Sequence, residues 1–223
     1  MSRPRAARAR HISNGADLEG KITIVRKPLP RTKPAEERRD DLLDAAQRLF
    51  LEQGFGPTTV EQITTGADVA KGTFYLYFKS KDEVRSALGD RFAERHLATV
   101  RGAVTKRAPE DWPGMLIAWV SASVAFYLDS IKLHDVLFVE GRSPTREGLV
   151  DNVVITYLTE ILRDGQSAGA WKLDDPRAAA VFLFSGIHGV VDDAYTKEKR
   201  VNRTELAQRL VRLCLGGIGF PPV

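Results

Sequence analysis

The sequence has little cysteine and no long apolar run, and both absences limit what the protein can be. Its single cysteine, Cys214, cannot form a disulfide within the chain, which is typical of cytoplasmic proteins. The most apolar stretch, 114–128, is too short to cross a bilayer and contains serine, so it predicts a buried helix and no membrane contact. No apolar stretch follows the N-terminal arginines, so we do not expect a secretory signal. The expected location is the cytoplasm.

Positive charge is concentrated at the N-terminus. Up to Lys33 there are nine Lys or Arg residues and two acidic ones, so this segment carries +7 and the remainder of a +4 chain carries about −3. Residues 1–32 also lack hydrophobic periodicity, which predicts a basic, flexible tail. Two roles stay open for this tail. It is either a solvated extension or an arm that contacts DNA in a minor groove beside the main site.

Strand signals are missing from Pro34 to Phe220, whereas helix signals recur. The first helix is predicted from one apolar face that ends before Gly54: Leu42, Ala45, Ala46, Leu49 and Phe50. Two capping boxes follow, one formed by Thr58 and Glu61 and the other by Ser80 and Glu83.

Between the two caps there is room for only two short helices and a turn. We expect one helix over about 59–66 and another from about Ala70, joined at Asp68, a residue type that tolerates the left-handed conformation. Two short helices joined in this way form a helix-turn-helix. The sequence therefore predicts this motif.

The remainder of the chain also reads as helix. Expected helices span about 80–106 and 110–130, with a shorter segment at 134–140, and further helices begin at Ser143-Pro144, at Asp175-Pro176 and at Asn202. The late helices have broad apolar faces with many small residues, which indicates that a second subunit covers them. We therefore predict a homodimer formed through the last two helices.

Residues 42–84 resemble the DNA-binding domain of the TetR family of bacterial transcriptional regulators. The resemblance rests on L-L-D-A-A-Q-R-L-F-L-E-Q-G-F, T-T-V-E-Q-I and K-G-T-F-Y-L-Y-F-K-S-K-D-E-V in that order. It implies an all-α fold with a three-helix DNA-binding domain over 33–81 and a larger helical domain over 82–223 for effector binding and dimerisation. Two positions depart from the family pattern: Asp68 replaces the common Gly of the turn, and Ala70 replaces the common Ser cap.

The same resemblance implies a ligand-responsive regulator, most simply a repressor, that binds a palindromic double-stranded operator. In a helix-turn-helix the second helix enters the major groove by its N-terminal residues, and flanking groups bind phosphates. The expected DNA contacts are Thr58, Thr59, Lys71, Gly72, Thr73, Tyr75, Tyr77 and Lys81. Phe74 and Phe78 lie four residues apart and are predicted to be core, whereas Leu76 either meets a thymine methyl or is simply exposed.

A small-molecule effector of unknown identity is expected in the C-terminal domain, as the resemblance implies. The candidate lining residues are Trp119, Phe126, His134, Phe138, Tyr157 and His188, and each of them has the alternative role of an ordinary core residue. The scattered histidines do not have metal-ligand spacing, so no metal or other cofactor is expected.

Two alternatives to a regulator remain in the sequence. The segment 34–83 is net acidic at −4, and with Asp68 and Ala70 this favours a helical ligand-binding protein that has lost specific DNA binding. Residues 165–169 match G-x-S-x-G around Ser167, the pattern of a serine hydrolase, with acidic residues and His188 downstream. That nucleophile requires a preceding strand, whereas the residues before it read as a helix that ends at Gly165. We therefore expect no enzyme.

Overall fold

Every regular element in the described part of the chain is helical. The structure is a computed structural model that describes residues 34–139, 152–197 and 200–220. The helices are α1 (Ala35–Gln53), α2 (Val60–Gly66), α3 (Lys71–Tyr77), α4 (Lys81–Val104), α5 (Trp112–His134), α6 (Val153–Ser167), α7 (Pro176–Lys197) and α8 (Arg203–Gly217). A π-helical segment, Asp135–Val139, continues α5. The all-α prediction is confirmed, while the expected start of a helix at Ser143 lies outside the described residues.

The cap of α2 lies one residue later than predicted. Thr59 accepts a hydrogen bond from the backbone N–H of Gln62, whose side chain accepts one from the N–H of Thr59. Thr58 is unsuitable as the cap because its hydroxyl donates to the carbonyl of Gly54 at 2.8 Å and only 1% of the residue is exposed. The predicted box of Thr58 with Glu61 is therefore wrong.

Most of the remaining helix ends agree with those predicted from the sequence. Asp68 has φ of 53°, so it does adopt the left-handed conformation in the turn between α2 and α3. Ala70 precedes α3 without a side-chain hydrogen bond to it, and Ser80 accepts from the backbone N–H of Glu83 at the start of α4. Asp175 and Asn202 likewise cap α7 and α8. These caps confirm the predicted helix starts, although the Glu83 carboxylate accepts from the N–H of Lys79 and not of Ser80, so the second predicted capping box is only half formed.

Helices α1 to α3 share a hydrophobic core with the first half of α4 and the end of α5. We call it the first core cluster: Leu42, Leu43, Ala45, Ala46, Phe50, Ile63, Ala67, Phe74, Phe78, Val84, Leu88, Phe92, Phe126, Leu133, Val136 and Leu137. Phe74 and Phe78 are 0% and 2% exposed, so their predicted core role is confirmed. The second half of α4 instead packs with α5 to α8. Helix α4 therefore belongs to both cores, as does α5.

Helix α5 lies at the centre of the second core, as its apolar sequence predicts. Trp119, Val120 and Val124 are at most 1% exposed and pack against residues of α6, α7 and α8. By length and composition, Trp112–Val139 is the one helix of the described residues that is able to span a membrane, but the central helix of a water-soluble bundle has the same properties. Its burial among other helices fits the second case.

The G-x-S-x-G match lies at the end of α6. Gly165 does not stop the helix, which continues to Ser167. Glycine is required there by packing, since a Cβ would lie 2.2 Å from the ring of Trp171. Ala168 is the C-cap, and Gly169, the residue after it, has φ of 80°. Ser167 donates its hydroxyl hydrogen bond to the carbonyl of Arg163 in the preceding turn. The local structure is a helix C-terminus and not the strand-turn-helix that a hydrolase nucleophile requires.

Candidate functional site

The N-terminal part of α3 presents polar side chains at the surface. Lys71 and Gly72 are exposed, Tyr75 is 56% exposed, and Thr73 and Tyr77 are half-buried. They alternate along the helix with the two buried phenylalanines that fix it to the first core cluster. Leu76 is 79% exposed, so the structure places this residue at the surface among them.

Gly72 has no packing role within the protein. No atom lies within 4 Å of a Cβ built at this position, and its φ is not in the left-handed region. Glycine near the start of a short helix costs roughly 1 kcal/mol relative to alanine. Neither intramolecular packing nor backbone strain requires glycine here, and the open space leaves the backbone accessible to another molecule.

Two of the predicted DNA contacts form hydrogen bonds within the protein. The Lys81 ammonium donates to the carbonyl oxygens of Phe55, Gly56 and Thr58 at 2.6, 2.9 and 2.6 Å. Burial lowers the pKa of this lysine below its usual value. Thr58 is buried, as described above. The sequence does not show where the α1–α2 loop packs, so it could not predict that these two side chains form hydrogen bonds within the protein.

Thr59 remains available. Its residue is exposed, and its oxygen accepts from the Gln62 N–H at 3.2 Å, which leaves the hydroxyl hydrogen free to donate. The surface of Thr59, Lys71, Gly72, Thr73, Tyr75 and Tyr77 is hereafter the recognition surface.

A second feature is a buried group of histidine and aromatic rings between the two cores. This histidine cluster consists of Phe92, His96, Phe126, Tyr127, His134, Phe138, Phe184 and His188. The ring centroids of His134 and His188 are 5.8 Å apart, and the His96 ring stacks on Phe126 at 4.6 Å. The structure thus brings together four of the six predicted effector residues.

Hydrogen bonds connect the polar groups of the histidine cluster. The Tyr127 hydroxyl donates to Asp192 at 2.7 Å and lies 3.2 Å from Nδ1 of His134. His96 Nε2 lies 3.1 Å from the Ser123 hydroxyl, and His188 Nδ1 donates to the carbonyl of Phe184 at 2.8 Å. These bonds hold the rings in fixed orientations.

Burial keeps the three imidazoles uncharged. It lowers the pKa of His96 to about 3, with smaller contributions from His188 and His134, and it lowers the pKa of those two histidines as well. Burial and the nearby Asp192 raise the pKa of Tyr127. At neutral pH the cluster is therefore a set of neutral hydrogen-bonding groups among apolar rings.

Sequence reasoning missed several members of this cluster. Phe92, His96, Tyr127 and Phe184 come from three different helices, so no local pattern joins them. Phe92 and His96, and Phe184 and His188, are each four residues apart, and Tyr127 and His134 are seven apart, but such spacings join members within one helix and not between helices.

The other two predicted effector residues lie elsewhere. Trp119 is completely buried in the second core, and its indole N–H has no hydrogen-bond partner within the described ranges. Tyr157 borders an open cleft with Trp112, and the Arg101 guanidinium lies 5.0 Å from its ring centre. Neither residue adjoins the histidine cluster, so the six candidates do not form one site.

Comparison with known families and structures agrees with the fold. Residues 42–88 match the model of bacterial regulatory proteins of the tetR family. The solved fatty acid degradation regulator FadR from Bacillus halodurans is similar over 86% of this chain and 100% of that chain, with a TM-score of 0.67 and 27% identity.

Two curated relatives differ in how much of their length matches. HbdR of Aromatoleum sp. (strain CIB), an HTH-type transcriptional regulator, is 42% identical over 60 residues, but this match spans only 26% of that protein. The HTH-type transcriptional repressor KstR2 of Rhodococcus jostii (strain RHA1) is 31% identical over 213 residues, or 87% of this chain and 97% of that protein. With this full-length similarity and the helix-turn-helix described above, the chain belongs to the TetR family and is a DNA-binding transcriptional regulator.

Proposed function

We propose that the protein is a homodimeric, ligand-responsive repressor that binds its operator through the recognition surface. The observation that carries this proposal is Gly72, an open, exposed glycine without an internal role, flanked by the exposed Lys71 and by Thr73. A base edge or phosphate can approach its backbone, while the Thr73 hydroxyl and methyl can read a base. KstR2, similar over almost its full length, is named as a repressor, which supports the same direction of control.

Dimerisation is proposed through α7 and α8. Phe182 of α7 and Leu213 of α8 are 69% and 56% exposed, and Gly186 and Gly189 on α7 are exposed with open space around them. Large apolar side chains beside small residues suit close packing of a second copy. Two α3 helices in one dimer would read half-sites about one DNA turn, ~34 Å, apart.

A test of DNA reading is the change Thr73→Ala. We expect the variant to keep most of its operator affinity but to accept other bases at one position, with discrimination there falling by about 1–3 kcal/mol. Selection of bound fragments from a genomic library, followed by sequencing, measures this preference for the variant and the unmodified protein.

The result separates the two proposed classes of protein. If the unmodified protein selects no site in a salt-dependent manner, it is a helical ligand-binding protein without operator recognition. If Thr73→Ala leaves every base preference unchanged, the assignment of Thr73 as a base contact is wrong.

We further propose that the effector binds at the histidine cluster. Aromatic rings with neutral imidazoles and a phenol favour an uncharged, ring-containing ligand with hydroxyl or carbonyl oxygens. Phe138 of the π-helical segment packs on Gly89 of α4, where a Cβ would lie 3.3 Å from its ring, so this site borders the helix that enters the DNA-binding domain. Occupancy shifts operator affinity only if the ligand binds the two states of the dimer unequally.

The change His134→Phe tests this location because it keeps a ring and removes both nitrogens. The ligand is first found with the unmodified protein, by screening neutral phenols and matched carboxylates for compounds that release labelled operator. We expect His134→Phe to need about a tenfold higher concentration of that ligand for the same release. This factor corresponds to the loss of about one hydrogen bond. Operator affinity without ligand should change less than the ligand response.

The control is Tyr157→Phe, which removes a hydroxyl from the separate cleft. An equal loss of response in this control, or no loss in His134→Phe, would place the effector elsewhere.

Three further expectations remain proposals: the division into domains at about residue 81, the cytoplasmic location, and a DNA contact by the basic tail of residues 1–32.

A further inference from the structure

The side chain of Lys81 is turned inward at the start of α4. Its ammonium has three hydrogens, and the three carbonyl oxygens of Phe55, Gly56 and Thr58 lie within 2.9 Å of the nitrogen. The same nitrogen lies 4.3 Å from the centre of the Phe55 ring, a cation–π distance. The ammonium is thus fully used within the protein.

The three carbonyls belong to the loop that joins α1 to α2, and this loop is also held from the α1 side. Gln53 donates through Nε2 to the Thr58 hydroxyl at 3.1 Å and to the side-chain oxygen of Gln62 at 3.0 Å. Gln62 in turn forms the capping box with Thr59. One hydrogen-bond network therefore connects the end of α1, the loop, the start of α2 and the first turn of α4.

We propose that Lys81 is a positioning residue for operator binding, which holds the α1–α2 loop and Thr59 on α4 and does not itself contact phosphate. This inference rests on the proposed function, in which Thr59 belongs to the recognition surface. Without the ammonium, the three carbonyls lose this donor, and the loop keeps a weaker attachment to α4 that includes the Arg85 guanidinium, 3.9 Å from the centre of the Phe55 ring. Thr59 and α2 then sample other positions relative to α3, and part of the binding free energy is spent on restoring the bound arrangement.

Hydrogen bonding opposes a direct phosphate contact. Moving the ammonium to a phosphate would break three hydrogen bonds to loop carbonyls, two of them partly buried and the one to Gly56 exposed, and a hydrogen bond to a charged donor contributes up to about 1.5–3 kcal/mol. The lowered pKa agrees with an enclosed ammonium. Lys79, two residues earlier, has an exposed side chain and is the better placed lysine for a phosphate.

The variant Lys81→Met keeps the apolar stem and removes the charge. The salt dependence of its operator binding distinguishes a positioning role from a direct phosphate contact. A direct phosphate contact contributes about 0.9 to the slope of log K against log of salt concentration. For a positioning role we expect operator Kd to rise about tenfold at every salt concentration with the slope unchanged. We also expect faster hydrogen exchange of backbone amides in residues 56–62 of the free protein.

A matched variant without any change of charge is Gln53→Ala, which cuts the same network from the α1 side. We expect it to weaken operator binding in the same way, again without a change in slope. If Lys81→Met does not fold, Gln53→Ala alone tests the positioning role. Unchanged operator affinity in Gln53→Ala would then overturn the proposal.

Two results with Lys81→Met itself would overturn the proposal: a slope reduced by about 0.9 without faster exchange, or an unchanged Kd. Failure of the proposed function gives a different result. The unmodified protein would then bind no operator, while the exchange measurement would still report whether Lys81 holds the loop.

Discussion

Lowering the pH from 7 to 5 is expected to reduce the free energy of unfolding by about 2 kcal/mol through His96 alone. His96 is 3% exposed, and burial lowers its pKa to about 3, whereas the unfolded chain has the ordinary value of 6.5. Between these values the unfolded state binds a proton that the native state does not. The contribution of His96 to the free energy of unfolding is therefore fully present above pH 6.5 and is lost progressively as the pH falls toward 3.

The groups around His96 also favour its neutral form. Its Nε2 faces the Ser123 hydroxyl, its ring stacks on Phe126, and His134 and His188 lower its pKa further. The pKa of each of those two histidines is also lowered, although Asp192 acts in the opposite direction on both. They add to the loss of stability in the same pH range.

Urea unfolding at pH 7.5, 6 and 5 measures this effect. The matched variant is His96→Gln, whose amide is able to bond Ser123 but does not titrate in this range. We expect a shallower dependence of unfolding free energy on pH in the variant. Parallel curves for the two proteins would show that the pKa of His96 is the same in the native and unfolded states, contrary to the lowered pKa assigned to it.

The change Phe74→Ala is expected to lower the free energy of unfolding by about 3–5 kcal/mol, the usual cost for a fully buried phenylalanine. Phe74 is 0% exposed in the first core cluster, and its ring contacts those of Tyr75 and Phe78 at centroid distances of 5.3 and 5.8 Å. Domain stabilities are usually only about 5–15 kcal/mol. The recognition surface is therefore expected to lose its structure, and operator binding with it.

Leu76 provides the control, because it is in the same helix but 79% exposed. Leu76→Ala should change unfolding free energy by no more than about 0.5 kcal/mol. Any loss of operator affinity in that variant would reveal a contact with DNA and settle the role that the sequence left open. Thermal unfolding and operator titration of both variants give the comparison, and equal destabilisation by the two changes would contradict the assigned burial.

The sequence predicted those parts of the fold that depend on neighbouring residues. Helix starts at Ser80, Asp175 and Asn202 follow from a polar cap and its position, and the left-handed turn follows from Asp68. The cap of α2 was assigned to Thr58 because T-T-V-E-Q offers two equivalent pairs at the same spacing. Only the tertiary bond from Thr58 to Gly54 decides between them.

Functional residues that depend on distant contacts were harder to predict. Lys81 occupies a first helical turn, a usual place for a phosphate contact, yet its partners are loop carbonyls as far as 26 positions back in the chain. His96 stands alone in the sequence and meets Ser123 only because α4 packs against α5. Such roles arise from helix packing, which neither periodicity nor spacing specifies.

The π-helical segment 135–139 determines which neighbour each of its side chains meets. Leu137 is buried in the first core cluster, while Phe138 joins the histidine cluster and Gly89. A π turn holds about one more residue than an α turn, and one residue of an α-helix corresponds to a rotation of about 100°. Deleting a single residue here would restore α-helical phase and turn Phe138 away from α4. The contact of Phe138 with α4 thus depends on the length of this segment as much as on its composition.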